Sequence, residues 1–521
     1  MKYYCILFLI FVAIRVQATT FYVSDSGSNS NNGLSITTPF RTLQFAANST
    51  NPGDIVLIMN GIYTNSGTSS NVLDIYRSGT ANNWIIYKNY PNHTPIIQLA
   101  ANNWAGIQVQ GADYIQIEGI TVIGNNDNIT LAYAQSQQTN TNNSSTSGNG
   151  IGCAPEFGNT TNKTHHLKVK NCIVKKCGGG GIYTNKADYI TFENNVISEC
   201  AWYSPYGNSA ITLYQNWNSD SSTAIKNFVI GNTCYRNEEY IPFVFAGSIT
   251  DGNGIIIDDG RNTQNGSTLG VYMGQTYVAN NLVFDNGGRG IHGYLSDNVI
   301  VVNNTCYKNC QSPSVPDGEL TANQCNFINF INNISNPKNG IAPLNISNSV
   351  ANFTIENNLW AENANLSSHN GTNTVIGNPN FINASSADFH LQNTSSAINV
   401  GSSNQAPITD KDGNSRINSV DIGCFEYQTN LYSYQNNLDS SLVILFPNPA
   451  LHTIYVKLNL ENWNELGLEI TSILGQKVFN LNLKSKLELI PIDISNFESG
   501  IYFLHFKIDN QTLPVKTFFK E

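Results

Sequence analysis

The sequence predicts an all-β chain: a right-handed parallel β-helix followed by a small C-terminal β-sandwich. Two recurring patterns carry this, together with the chemistry of the segments between them. An Asn-centred motif returns at roughly the length of one coil. A small residue followed by Ile returns in a second series. The intervening segments are short, β-branched and alternate in period two, as in Ile115-Gln116-Ile117-Glu118 and Tyr189-Ile190-Thr191-Phe192.

The first series includes Asn194-Asn195-Val196-Ile197, Asn280-Asn281-Leu282-Val283, Asn303-Asn304-Thr305-Cys306, Asn332-Asn333-Ile334 and Asn357-Asn358-Leu359. Gly231-Asn232-Thr233-Cys234 and Lys170-Asn171-Cys172-Ile173 are variants of it. Asn171 and Asn195 are 24 residues apart, Asn281 and Asn304 23, Asn333 and Asn358 25. A period of this length marks a solenoid. The repeats lack helical spacing, so each is read as short strands joined by tight corners, stacked about 4.8 Å apart. Asn suits the corners because it tolerates left-handed backbone angles, and stacked Asn amides can bond along a ladder.

The second series runs Gly106-Ile107, Gly150-Ile151, Gly181-Ile182, Ala210-Ile211, Gly254-Ile255 and Gly290-Ile291. Each Ile is expected to point inward, and alternation then fixes its neighbours. Tyr183, Thr212, Ile256 and His292 form one outward row. Asn185, Tyr214, Asp258 and Tyr294 form the next. A groove is expected on this face.

Only 12% of residues are charged, while 25 Tyr and 24 Phe supply a core, so disorder is excluded. The net charge of −10 argues against nucleic acid and anionic membranes as partners. Met1-Lys2, the apolar run Ile6 to Ile14 and Val16-Gln17-Ala18 read as a signal peptide over residues 1–18, and no later run is long enough to span a bilayer. Cys5 leaves with that segment. The nine remaining Cys are expected to be mostly buried thiols. The expected organisation is a β-helix over 19–427, an Asn-rich linker over 428–442 and a sandwich over 443–521, as a monomer.

Phe21-Tyr22-Val23-Ser24, Pro39-Phe40-Arg41-Thr42-Leu43-Gln44, Pro52-Gly53-Asp54 and Gly61-Ile62-Tyr63 resemble the opening of secreted proteins of the pectate-lyase-like superfamily. The resemblance implies a helical turn over Thr42 to Asn48 capping the first coil. Asn378-Pro379-Asn380-Phe381 and Asp421-Ile422-Gly423-Cys424-Phe425-Glu426 are similar to the end of many bacterial β-helix domains. Phe446-Pro447-Asn448-Pro449, Leu474-Gly475-Gln476-Lys477-Val478, Gly500-Ile501-Tyr502-Phe503 and the basic end at Lys516 and Lys520 resemble the sorting domain of the type IX secretion system. This implies a Bacteroidetes-type bacterium, the type IX machinery as partner and an extracellular or cell-surface destination.

The densest polar cluster is Asp251-Gly252-Asn253 with Asp258-Asp259-Gly260-Arg261. One coil later comes Arg289-Gly290-Ile291-His292-Gly293-Tyr294. A lyase acting on a uronate-containing polysaccharide needs a base and a positive group: His292 with Arg289, or Arg261 as the clamp. Asp251, Asn253, Asp258 and Asp259 offer the hard oxygens calcium prefers. Tyr183, Tyr214 and Tyr294 would line the substrate. Where pectate lyases of this superfamily carry Lys in a Gly-Phe-Lys context, Gly290-Ile291-His292 has His, and the Asp spacing differs too. A hydrolase instead needs two carboxyl groups, for which Asp258 and Asp259 stand. A noncatalytic polysaccharide-binding or adhesive protein is the third reading, since a repeat fold alone does not specify catalysis.

Overall fold

The structure is a computed structural model. It describes residues 18–428 and 443–521, apart from 66–69, 348, 363, 366–370, 417–418, 459–463, 473–475, 485–486, 488 and 509–510. The expected signal segment up to residue 17, the linker over 429–442, and Leu474 and Gly475 of the sorting motif lie outside the described residues. Two compact units divide at Tyr427 and Gln428.

The first unit is a parallel β-helix. Its coils contribute to three long parallel sheets of eleven, nine and eleven described strands. The helix α1 (Leu43–Ser49) covers the first coil, with the Thr42 side chain accepting from the Phe45 N–H as its N-cap and Leu43, Ala46 and Ala47 buried beneath. This is the capping turn the resemblance implied. The nine-stranded sheet positions the site. Its strands in chain order are β1 (Asn71–Ile75), β2 (Ala105–Gln110), β3 (Asn149–Ala154), β4 (Ile182–Asn185), β5 (Ile211–Tyr214), β6 (Ile255–Asp258), β7 (Ile291–Tyr294), β8 (Gly318–Asn323) and β9 (Ala342–Ile346).

The inward Ile column is as the second series predicts. Ile107, Ile151, Ile182, Ile211, Ile255 and Ile291 pair in succession from β2 to β7, and all are buried. The small residue before each Ile has a steric reason. A Cβ on Gly254 would lie 2.1 Å from Val283 Cγ1, which points in from the neighbouring sheet. Beneath the sheets, the parallel stack Val169, Phe192, Val229, Val278, Val301 and Phe330 continues the core.

The Asn motif builds a buried ladder. The side-chain amide of Asn195 donates to Asn232 Oδ1 at 2.9 Å, Asn232 to Asn281 at 3.0 Å, and Asn281 to Asn304 at 2.9 Å. Asn304 then donates to Asn333 at 2.9 Å, and Asn333 to Asn358 at 3.0 Å. Each receiving oxygen also accepts the backbone N–H of the preceding rung, as Asn304 does from Asn281 N at 2.9 Å. The first Asn of each pair makes the corner, with φ of 54° at Asn194, 54° at Asn280 and 51° at Asn303. Asn171 takes this corner role at φ 53°, so Cys172, not Asn171, stands in register with Asn195. A second ladder runs Asn237, Asn286, Asn309 and ends on buried Glu319. All nine described Cys are free and buried.

The C-terminal stretch of this unit returns along the β-helix. Phe389, Cys424 and Phe425 pack on Leu282 and Phe284, and Cys424 N–H reaches Thr305 Oγ1 at 3.1 Å. The second unit pairs a three-stranded with a four-stranded antiparallel sheet around Ile454, Val456, Leu468, Ile470, Leu504 and Phe506. Thr453–Leu458 and Gly500–Ile508 are strands within it, as the period-two reading predicts.

Replacing Asn304 by Leu leaves the buried N–H groups of Asn281 without an acceptor, at a cost of about 1–3 kcal/mol each. The expected outcome is a melting temperature lowered by several degrees in a circular-dichroism melt; an unchanged melt contradicts the ladder's role. Burial pushes the Glu319 carboxyl from 4.5 up to about 8. The folded chain thus holds a proton that the unfolded chain has released, so Glu319 makes stability fall as pH rises from 4.5 to 8. Melts of Glu319→Gln across that window are expected to show a flatter pH dependence than the parent.

Candidate active site

The outward rows of the nine-stranded sheet are in the register predicted. Tyr183 pairs with Thr212, Thr212 with Ile256 and Ile256 with His292. Asn185 pairs with Tyr214, Tyr214 with Asp258 and Asp258 with Tyr294. Over β4 to β6 lies a hollow of about 410 Å³ to which Tyr183, Tyr214, Asp251 and Asp258 contribute. One wall comes from the chain between β4 and β5, with Ser204 and Tyr206. The other comes from the insertion between β5 and β6, with Phe243 and Phe245. Trp104 lines the end toward β2.

Asp258 sits at the end of β6. Burial raises its pKa well above the usual carboxylate range, and the nearby Asp251 and Asp259 charges add to this; one hydrogen bond from Gln264 Nε2 at 3.3 Å opposes it. Asp251 is also raised by burial, but Thr250, Arg289 and Asn253 favour its charged form. Its oxygens accept from Thr250 Oγ1 at 2.8 Å and Asn253 Nδ2 at 2.8 Å. Behind Asp251 the fully buried Glu239 is raised well above its ordinary value by burial, with the Asp251 charge adding to the effect. Its carboxylate accepts the backbone N–H groups of Thr250 at 3.1 Å and Asp251 at 3.0 Å. Burial likewise pushes Tyr214 up to about 12, with Asn265 donating to its hydroxyl at 2.7 Å.

Several expected site residues are engaged elsewhere. Asp259 is fully buried with φ of 47°, and its carboxylate accepts from Gln215 Nε2, Thr263 N–H and hydroxyl, and Gln264 N–H at 2.8 to 3.0 Å. It holds the loop after β6 rather than facing the hollow. Asn253 is fully buried, donating to Asp251 and to Ser209 Oγ at 3.0 Å while accepting the Arg289 N–H at 2.9 Å. Arg261 is paired with Asp297 at 2.8 Å, and Arg289 with Asp317 and the Thr250 carbonyl. His292 occupies its predicted row but is 5% exposed, paired with Thr321 of β8 in the next coil. Burial, with Arg289 adding, holds it well below its ordinary value, and Nε2 lies 3.2 Å from Asn323 Oδ1. Tyr294 stands beside Asp258 in register, its ring 5.7 Å from that of His292, outside the hollow's lining.

Of the four residues expected to hold calcium, Asp251 and Asp258 line the hollow, while Asn253 and Asp259 do not. Asn253 and Asp259 direct their oxygens into the hydrogen bonds above, and no group of three or more His, Cys, Asp or Glu gathers as a metal site among the described residues. The Gln135-to-Asn149 stretch, which reads as a flexible loop without chemistry, holds the end of the short helix Leu131–Ser136 and a second short helix, Ser144–Ser147, and Ser147 and Asn149 line the hollow. Sequence reading missed Glu239, Phe243 and Phe245, which fall in an insertion outside any repeat. It also missed Trp104 and Asp317.

Fold and groove together define the class: a secreted or cell-surface parallel β-helix protein carrying a secretion sorting domain. The second half of that statement rests on a match of residues 444–520 to the family described as the secretion system C-terminal sorting domain. No curated protein matches the sequence. Among solved structures, the chain is similar to pectate lyase Pel9A, at 18% identity and a TM-score of 0.46, over 79% of this chain and 96% of that one. It is similar to a rhamnogalacturonan lyase at 16% identity and a TM-score of 0.38, over 70% and 91%. The xylose complex of XylC follows at 10% and 0.38, over 79% and 98%.

The two adjacent carboxylates are expected to respond oppositely to substitution. Asp259→Ala strands buried donors and should lower the melting temperature by several degrees. Asp258→Asn removes a charge that burial disfavours, so at pH 8 the melt should stay level or rise. A large loss for Asp258→Asn, with none for Asp259→Ala, would reverse the two assignments.

Proposed function

We propose that this chain is a secreted enzyme that cleaves a polysaccharide in the groove over β4 to β6, with Asp258 as the proton donor. The observation that carries the reading is the raised pKa of Asp258 at the floor of an aromatic-walled hollow. A carboxylic acid that holds its proton above the usual carboxylate range can give it to a glycosidic oxygen as the bond to the sugar breaks.

Hydrolysis is the route the carboxyl pair supports. Asp258 is the more strongly shifted group and serves as acid. Asp251, whose charged form Arg289, Asn253 and Thr250 favour, takes the proton of the attacking water. The sugar carbon gains the water oxygen, the leaving oxygen gains the Asp258 proton, and the two carboxyls end with their protonation exchanged. The uronate lyase expected from the sequence is the second reading. It is favoured by the neutral His292 beside Arg289, and opposed by the burial of the one and the ion pair of the other.

Incubation of the full chain with polysaccharides, followed by reducing ends and by ultraviolet absorbance of an unsaturated product, separates these readings. Reducing ends without absorbance are expected. Asp258→Asn should lower the rate by about 10²–10⁴-fold. The pH profile should be bell-shaped, its alkaline limb falling as Asp258 loses its proton and its acid limb as Asp251 gains one. Absorbance lost in His292→Ala would establish elimination instead. Silence in both assays across a broad panel would favour a binding or adhesive protein.

A further inference from the structure

We infer that the groove is built for an electrically neutral glycan several sugar units long, lying across the strands from β6 to β1. The inference deepens the reading above and rests on it for the cleavage step alone.

A second hollow, of about 560 Å³, lies over β1 to β3 on the same sheet, and Trp104 lines both hollows. The two form one trough crossing six neighbouring strands, β6-β5-β4-β3-β2-β1. Five steps of about 4.8 Å give a run of roughly 24 Å, with Asp258 at one end. A chain laid along it runs perpendicular to the strands, over the outward side chains of successive coils.

The lining is aromatic and carboxamide-rich. Tyr76, Trp104 and Phe157 face the second hollow, and Phe243 and Phe245 flank the first. Phe157 is 91% exposed and Phe245 77%, on loop tips that pack against little of the protein itself. Apolar rings of this size left in water at the edge of a polar trough mark a recognition surface. Between them lie the carboxamides of Gln108, Gln110 and Asn149, held in place by Tyr183, Asp74 and the Trp104 carbonyl respectively, each with hydrogen-bonding capacity left beyond that contact. Asn185 lines the first hollow, and its buried Oδ1 has no hydrogen-bond donor. An acceptor left waiting there suits a sugar hydroxyl.

The charge of the trough selects against polyuronates. Neither hollow has a Lys or Arg among the described residues of its lining, while Asp74 and Asp251 contribute carboxylates and Asp258 a carboxyl that carries no charge while it holds its proton. Arg261 and Arg289 lie outside the lining and are held by Asp297 and Asp317. Arg41 lines a separate cavity beside α1. A polyanion entering the trough would desolvate its carboxylates against like charge, with no cation to offset it. A neutral glycan meets hydrogen-bonding amides and ring faces with no such penalty.

The test is affinity electrophoresis of the full chain carrying Asp258→Asn, in gels containing mixed-linkage β-glucan, xylan, galactan or mannan, and in parallel gels containing polygalacturonate or alginate. The expected result is retardation by at least one neutral polymer, unaffected by salt, and none by the polyuronates. Adding Phe157→Ala, which removes an exposed ring and leaves the core intact, or Trp104→Ala should weaken it by roughly tenfold. Retardation by a polyuronate that salt abolishes, or none by any neutral polymer, overturns the inference. Cleavage by the parent chain is scored separately. A neutral polymer bound but not cut overturns the enzyme and upholds the neutral-glycan trough. A polyuronate that is cut upholds the enzyme and overturns the trough.

Discussion

Coil-to-coil hydrogen bonding of buried Asn side chains is the constraint on which the rest of this molecule depends. A parallel β-helix has a backbone ladder between coils, but that ladder alone does not fix where each turn of chain must corner. Here each ladder amide from Asn195 to Asn333 gives its N–H to the next rung and its carbonyl to the last. A one-residue slip would break both contacts and turn every inward Ile toward solvent. The corner, the ladder and the Ile column therefore specify one register. That register sets Tyr214, Asp258 and Tyr294 side by side on adjacent strands.

A rigid scaffold of this kind leaves its chemistry to insertions. The chain between Asn237 and Gly254 contributes Glu239, Phe243, Phe245 and Asp251 to one locality. The loop after β6 is fastened by Asp259, which lets Gln264 and Asn265 reach Asp258 and Tyr214. Two adjacent aspartates thus do different work because the strand ends between them. Asp258 is still on the sheet and faces the hollow; Asp259 has turned into the corner and binds backbone.

Register was legible in the sequence because it is local and repeated. The small residue before Ile255 or Ile291 and the Asn pair before Leu282 each carry their own signal, and alternation extends it to the outward rows. Exposure was not legible. His292 occupies its predicted row, yet it is covered, and Arg289 is neutralised by Asp317 from an insertion 28 residues on. Nothing at position 292 announces that its side chain will be buried. The same holds for Asn253, whose oxygen looks like a cation ligand in the sequence and in the fold accepts the Arg289 N–H. The sandwich unit was read more completely, since its strands alternate and its closing motifs match the sorting family over residues 444–520.

The central claim is that burial and the neighbouring Asp251 and Asp259 hold the pKa of Asp258 well above the usual carboxylate range at the floor of the hollow. Infrared difference spectroscopy tests it without a substrate. Across a pH series, the spectrum of the parent chain minus that of Asp258→Asn should keep the carbonyl stretch of a protonated carboxylic acid to a pH well above the usual carboxylate range. Loss of that band within the usual carboxylate range would contradict the account.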